Sequence, residues 1–333
     1  MSKKYRIGVV GATGVVGKEI IKILESRKFP VESLRLFASE RSLGQTVLFN
    51  GERLDVEVLS EDTLRDVDMA LFSAGSSISK KFCPLAAERG IICIDNTSHY
   101  RMVEGVPLVV PEVNASALKN HRNIIANPNC STAQMMVVLK PIMDAVGLER
   151  VVVSTYQSVS GAGSSAITEL EDQSRANLSG QTLAPSVFPH PIAFNVIPQI
   201  DVFLDNGYTK EEMKMINETK KILGDDNLCI TATAVRVPVF VGHSEAINIE
   251  TKAAVSPAMV RDLLAKAPGV SVMDDPHKNH YPTPRDVAGK DDVLVGRIRT
   301  DVSKKNTIEL WCVGDNLRKG AALNAVQIAE ALT

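Results

Sequence analysis

Along the first third of the chain, apolar positions alternate between two spacings. Short runs at Arg6–Val10, Ser33–Phe37, Val67–Phe72, Ile91–Asp95, Leu108–Val110 and Asn123–Ala126 read as buried strands. Between the first two, Val15–Arg27 places Val16, Ile20, Ile23 and Leu24 at helical spacing, and Ser79–Arg89 reads as a second helix. Strand–helix–strand alternation predicts a parallel sheet with right-handed crossovers, a doubly wound, Rossmann-like α/β domain. After Cys130 the texture changes. A long apolar helix is predicted over Thr132–Val146, with Ser131 or Asn129 as its cap. Longer β segments follow at Arg150–Ser158, Cys229–Val241, Glu245–Ala253, Asp292–Thr300 and Thr307–Val313, with helices sparse between them. That pattern predicts an α+β domain on a mixed or antiparallel sheet, a surface for a substrate site. The final helix, Arg318–Leu332, carries Ala322, Ala325, Val326 and Ala329 on one face and needs a partner; docking on the first domain is expected. The expected division is therefore 1–129 with 317–333, and 130–316.

A chain of 333 residues is long enough for two domains. A net charge of −2, with no local basic run, argues against nucleic-acid and membrane-surface roles. No apolar stretch approaches the roughly 20 residues that span a bilayer, and the N-terminal run is too short for a signal peptide. Five cysteines, without a CxxC or a Cys/His metal spacing, lead to the expectation of a reduced, cytoplasmic, metal-free protein.

The stretch from Gly8 to Gly17, GVVGATGVVG, lies at the turn from the first strand into the first helix. Gly8, Gly11 and Gly14 would give a tight turn and let the backbone approach a pyrophosphate, which Thr13, Val15 and Val16 would help to enclose at the helix start. Specificity between dinucleotides is set at the end of the second strand. There the chain offers Ser39, Arg41 and Ser42, which suit a 2′-phosphate, and Glu40, an awkward neighbour for one. NADP(H) is the expected cofactor.

Four of the five cysteines lie in or beside apolar runs and read as small core residues. Cys130 differs. It stands in Asn127-Pro128-Asn129-Cys130-Ser131-Thr132, at the start of the long helix, where helix-terminal N–H groups favour a thiolate and could hold an oxyanion. Position alone fits a catalytic and a structural cysteine equally.

NPNCST together with GATGVVG resembles the bacterial aspartate-β-semialdehyde dehydrogenase family. So do DNTSHYRM (95–102), YQSVSGAG (156–163), EEMK (211–214), RVPVFVGHSE (236–245) and GDNLRKG (314–320), in the family's order along both halves. The resemblance implies reversible, NADP-dependent reductive dephosphorylation of L-aspartyl-4-phosphate to L-aspartate-4-semialdehyde, through a cysteine thioester. It implies a place in lysine, diaminopimelate, threonine and methionine biosynthesis, inorganic phosphate as a second ligand, and a homodimer. Cys130 resembles the nucleophile, Gln157 the residue orienting the intermediate, and His243 the acid/base. Arg236 resembles the clamp on the substrate carboxylate. Arg101, Asn129 and Lys214 resemble the phosphate site, and Glu211 a contact to the substrate amino group. Ser73, Gly75, Ser160, Gly163 and Asn316 are expected to line the cofactor.

Without the resemblance, Glu211 and Lys214 would read as an exposed ion pair on a helix, and His243 as a satisfied strand residue. Arg236 and His243 are seven apart, so an unbroken strand would send them to opposite faces; Pro238 or Gly242 must bend the chain. Three rivals remain: N-acetyl-glutamyl-phosphate reductase, glyceraldehyde-3-phosphate dehydrogenase and a non-catalytic NADP-binding sensor. The first two carry different sequences around their cysteines, and the third leaves Cys130, Arg236 and His243 unexplained.

Overall fold

The computed structural model describes residues 3–333, and its internal contacts divide the chain into two units, Met1–Asn129 with Ala321–Thr333, and Cys130–Gly320. The first unit contains β1 (Tyr5–Val10), α1 (Val15–Ser26), β2 (Val31–Ala38), β3 (Thr46–Phe49), β4 (Glu52–Val58), β5 (Met69–Phe72), α2 (Ser76–Glu88), β6 (Ile92–Asp95), α3 (Pro111–Asn114) and β7 (Ile124–Ala126). Its seven-stranded sheet runs β3-β4-β2-β1-β5-β6-β7, parallel except where β3 pairs antiparallel with β4. Val9, Leu36, Leu71 and Ile94 on one face and Val10, Phe37 and Phe72 on the other make the strands apolar on both sides, as helices above and below require.

Three details differ from the sequence reading. The β3–β4 hairpin was not expected, although Asn50-Gly51, both at positive φ, is the turn that favours one. Leu108–Val110 is no strand and contributes a single bridge, Leu108 to Ala126, because Pro107 and Pro111 on either side remove backbone donors. At the other end of the chain, the expected long helix is a π turn, Arg318–Ala322, followed by an α-helix, Leu323–Glu330. Leu323, Ala325, Val326, Ile328 and Ala329 join the core formed by α1 and the sheet. Asn324 fixes the register by donating to the carbonyl of Val109 at 2.9 Å and to Asn127 Oδ1 at 2.6 Å.

The second unit contains α4 (Cys130–Val146), β8 (Leu148–Gln157), α5 (Ser164–Leu178), α6 (Lys210–Leu223), β9 (Cys229–Arg236), β10 (His243–Thr251), α7 (Pro257–Leu264), β11 (Val270–Val272), α8 (Pro284–Val287), β12 (Val293–Thr300) and β13 (Thr307–Gly314). Its six strands are ordered β11-β12-β13-β10-β8-β9, with parallel and antiparallel neighbours mixed. Helices are not sparse here, and α6 carries Glu211 and Lys214. Thr209 and Glu212 start α6 with a reciprocal capping box, and Glu212 also accepts the backbone N–H of Ala234, docking α6 on β9. The expected β segment Cys229–Val241 ends at Arg236, where the chain turns through Pro238 and Gly242, the latter at φ +97°.

Cys229 corrects another expectation. Cys83, Cys93 and Cys312 are buried, but Cys229 is exposed, because it opens the edge strand β9 while Leu228 takes the buried place beside it. All five cysteines are free. Among the described residues no helix is long and apolar enough to cross a membrane, and no cluster of acids, histidines and cysteines could hold a metal ion.

Candidate active site

In the first unit a cleft of about 630 Å³ opens above the C-terminal ends of β1, β2 and β5. Val10, Gly11, Thr13, Gly14, Ser39 and Arg41 line it, with Ser73 facing them. Gly11 has φ +90°, and an added Cβ would meet the Ser73 backbone at 2.9 Å. At Gly17 a Cβ would fall 2.1 Å from the Gly11 carbonyl oxygen, so the helix could not pack on the loop with any side chain there. Thr13 and Ser42 share a hydroxyl–hydroxyl bond of 3.0 Å that ties the loop to the turn after β2. Glu40 also reaches the cleft. Gly8 lies lower in β1, with Phe37 against it, while Val15 and Val16 begin α1 and Gly75 precedes α2. Arg101 is buried and anchored, donating to the carbonyls of Asn127 at 2.9 Å and Asn96 at 2.8 Å. Asn129, also buried, ends this unit.

The second unit gathers most of the remaining residues at one end of its sheet. Gln157 closes β8 directly opposite Arg236, which closes β9; Ser244 of β10 pairs with Tyr156 on the other side. Arg236 and His243 thus come from different strands flanking β8, and this removes the conflict that a continuous strand would pose. Cys130 is the first residue of α4 and half-buried. Gly320 packs so closely that a Cβ there would lie 2.7 Å from the Cys130 Cβ. The exposed ion pair suggested by spacing alone is not found: Glu211 is buried, accepts from Gln157 Nε2 at 3.3 Å and pairs with Lys214 Nζ at 3.1 Å. Lys214 Nζ also reaches Asp201 at 2.8 Å.

Arg236 donates from Nη1 to the carbonyl of Ser158 at 2.8 Å, and the Phe188 ring lies 5.8 Å from its guanidinium carbon. Its Nε has no acceptor among the described residues. Burial lowers its pKa, and the nearby Glu211 and Cys130 oppose that shift. A guanidinium still stays charged in a protein. A buried cation with an unfilled donor is a receptor for an anion.

His243 is fully buried, and its pKa is held well below 6.5, chiefly by desolvation and then by the charge of Arg236. Its Nδ1 accepts the backbone N–H of Ser158 at 3.1 Å. A neutral ring that accepts at Nδ1 carries its proton on Nε2. Nε2 has no partner among the described residues, so it is a donor awaiting an acceptor. The Ser158 hydroxyl bonds Asn316 Oδ1 at 3.0 Å; Asn316 also bonds Ser160 and accepts from the N–H of Gly242, which sets the turn into β10. Gly161 covers Arg236 Nη1 and His243 Nε2, and a Cβ there would reach them at 3.1 Å and 3.2 Å. Gly163 caps α5 at φ +93°. Ser158, Phe188 and Gly161 were not singled out from sequence, since their roles exist only across elements.

The semialdehyde dehydrogenase NAD binding domain model matches residues 6–121, and the semialdehyde dehydrogenase dimerisation domain model matches residues 139–319. Aspartate-semialdehyde dehydrogenase of Aquifex aeolicus is 53% identical over 332 residues, covering 98% of both chains. The Bacillus subtilis enzyme of that name is 51% identical over the whole of this chain and 98% of its own.

The chain belongs to the aspartate-semialdehyde dehydrogenase family.

Solved structures of this family agree. Aspartate semialdehyde dehydrogenase II from Vibrio cholerae is 52% identical, with a TM-score of 0.97 over 99% of this chain and 98% of that one, and a second structure of it is complexed with ASA at the same similarity. A family structure with NADP, from Candida albicans, is 26% identical with a TM-score of 0.76 over 99% and 98% of the two chains.

Proposed function

We propose that this family member interconverts L-aspartyl-4-phosphate and L-aspartate-4-semialdehyde, using NADP(H) and a thioester on Cys130. The observation that carries the reading is the meeting of Gln157, Arg236 and His243 at the ends of three adjacent strands, in the unit that Cys130 opens. Arg236 would hold the substrate carboxylate, and Glu211 the ammonium group, with Gln157 between them. Arg101, Asn129 and Lys214 would receive the phosphate. Cofactor contacts would come from Gly11, Thr13, Gly14, Ser39, Arg41 and Ser73, with Gly8, Val15, Val16, Ser42 and Gly75 shaping the loop. Ser160, Gly163 and Asn316 would complete that site.

In the biosynthetic direction the Cys130 thiolate attacks the acyl carbon, and the C–O bond to phosphate breaks, leaving a thioester. NADPH, when bound, supplies a hydride to that carbon. The resulting alkoxide on the Cys130 adduct needs a hydrogen-bond donor, which His243 Nε2–H provides without ionising. Collapse breaks the C–S bond, releases the aldehyde and restores the thiolate; no net proton is required at this step. A neutral donor also predicts the pH response. His243 binds a proton only well below pH 6.5, so kcat should show no titration near that value. An activity limb at the ordinary histidine pKa would sink the donor assignment.

Phosphate-dependent NADP⁺ reduction, tested with aspartate semialdehyde against N-acetylglutamate semialdehyde, tests the substrate reading; turnover of the latter alone would overturn it. Cofactor choice is tested at Arg41. A charge-assisted bond is worth about 1.5–3 kcal/mol, so Arg41→Ala should weaken NADPH over NADH by roughly ten- to a hundredfold. Equal weakening would mean that another group reads the 2′-phosphate.

The active form is proposed to be a cytoplasmic homodimer. The outer sheet face of the second unit leaves Val152, Ala246 and Trp311 half-buried and Tyr156 exposed, with the two aromatic rings 5.4 Å apart. This face, where Ser154 and Asn248 alternate with the apolar residues, suits a second copy. Sedimentation of the purified chain as a monomer at micromolar concentration would overturn that.

A further inference from the structure

Glu245 lies two residues beyond His243 on β10, in line with Ile247 and Ile249 on the buried face. It is fully buried, and the Gln134 side chain is the donor nearest its carboxyl, too poorly placed to make a hydrogen bond of ordinary geometry to either oxygen. Gln134, one turn along α4 from Cys130, lies against it. The Gln134 amide nitrogen donates to the carbonyl of His243 at 3.2 Å, and its Oε1 has no donor either. Flipping the amide would set two carbonyl oxygens against each other at His243, so its orientation is fixed. Oε1 is further confined by Gly314, where a Cβ would lie only 2.7 Å from it. Three buried oxygens on two adjoining side chains thus lack a donor of ordinary geometry, and the missing partner is a proton.

We propose that Glu245 is a positioning residue held as a neutral carboxylic acid, whose O–H donates to Gln134 Oε1 and so locks the Gln134 amide onto the His243 carbonyl. The proton stays on the carboxyl and no bond to it is broken during turnover. The lock joins the start of α4, which carries the thiol, to the start of β10, which carries the imidazole. An isolated buried carboxylate would be prohibitively costly, whereas a protonated one satisfies both itself and Gln134. Desolvation raises its pKa well above the usual 4.5, against a smaller opposing hydrogen bond from the Gln134 side chain. The groups facing it bring no compensating cation: Gln134 from α4, Thr155 from β8, and from β13 the Cys312 thiol, whose own pKa burial pushes up. Neutrality also spares His243 an adjacent anion that would favour the imidazolium.

The role rests on the reading of Cys130 and His243 as reacting groups, and two measurements keep the ideas separable. In infrared spectra of the full chain at neutral pH, a protonated-carboxyl carbonyl stretch should be present and should vanish in Glu245→Gln. That band concerns Glu245 alone and would survive even if His243→Asn proved fully active, which would sink the catalytic reading instead. In kinetics, Glu245→Gln can still donate to Gln134 and should keep kcat and its pH profile within about twofold, whereas Glu245→Val should lower kcat by roughly ten- to a hundredfold through misplacement. Stability gives a third readout that holds if the valine variant fails to fold. The folded wild type binds a proton that the unfolded chain releases near pH 4.5, so its stability falls as pH rises. Glu245→Gln lacks this loss, and its melting temperature should gain on wild type between about pH 5 and about pH 8. An absent band, a constant melting gap, or a glutamine variant as impaired as the valine one would each overturn the proposal.

Discussion

Cys130→Ala is expected to abolish turnover in both directions while leaving cofactor binding and thermal stability near wild type. Losing a covalent nucleophile removes the whole two-step route, and comparable deletions cost several orders of magnitude, on the order of 10⁴-fold or more. The fold should tolerate the change. The side chain is half-buried at the first position of α4, and alanine keeps the Cβ against which Gly320 packs. Its stability cost should stay under about 1 kcal/mol, against ~1–3 kcal/mol for a packed core residue. Steady-state rates, NADPH titration and a melting curve on one preparation decide the matter. Retained activity would sink the nucleophile assignment, and a large melting loss with intact chemistry would restore the structural reading of this cysteine.

Arg236→Lys should be nearly as damaging to catalysis although it keeps the charge. The guanidinium is held by Ser158 and Phe188 so that its Nε remains available, and lysine offers no planar pair of donors. One lost charge-assisted bond costs about 1.5–3 kcal/mol, so kcat/KM for the semialdehyde should fall roughly ten- to a hundredfold or more. The effect should persist when arsenate replaces phosphate as acceptor. Lys214→Ala should instead raise the KM for phosphate more than that for the semialdehyde. It also strips Glu211 of its 3.1 Å partner, so some loss in semialdehyde binding is expected alongside. Varying each ligand separately distinguishes the two anion sites. A silent Arg236→Lys would mean that the carboxylate is held elsewhere, and equal shifts in both constants would merge the sites.

Elements whose signal is local are legible in the chain. Period and glycine placement in Tyr5–Ser26 fix a strand, a tight turn and a helix, because Gly11 takes φ +90° and a Cβ at Gly17 collides with the loop's own backbone whatever surrounds it. The Asn-Pro-Asn-Cys turn likewise marks Cys130 as a helix start. Two further local signals lie in the chain: the Asn50-Gly51 hairpin turn, and Glu245 interrupting the apolar stripe that runs through Ile247 and Ile249. Other features were decided by tertiary structure alone. Strand order β10-β8-β9 brings Arg236 and His243 to either side of Gln157, and nothing in their spacing of seven encodes that neighbourhood. The docking of α6 through Glu212 turns a sequence-local Glu211–Lys214 pair inward, where burial rather than spacing sets it apart from a surface ion pair. The proton position on His243 depends on the Ser158 N–H, a donor from another strand's end. Chemistry at this site comes from desolvation and from partners distant in sequence, and both are properties of packing rather than of local order.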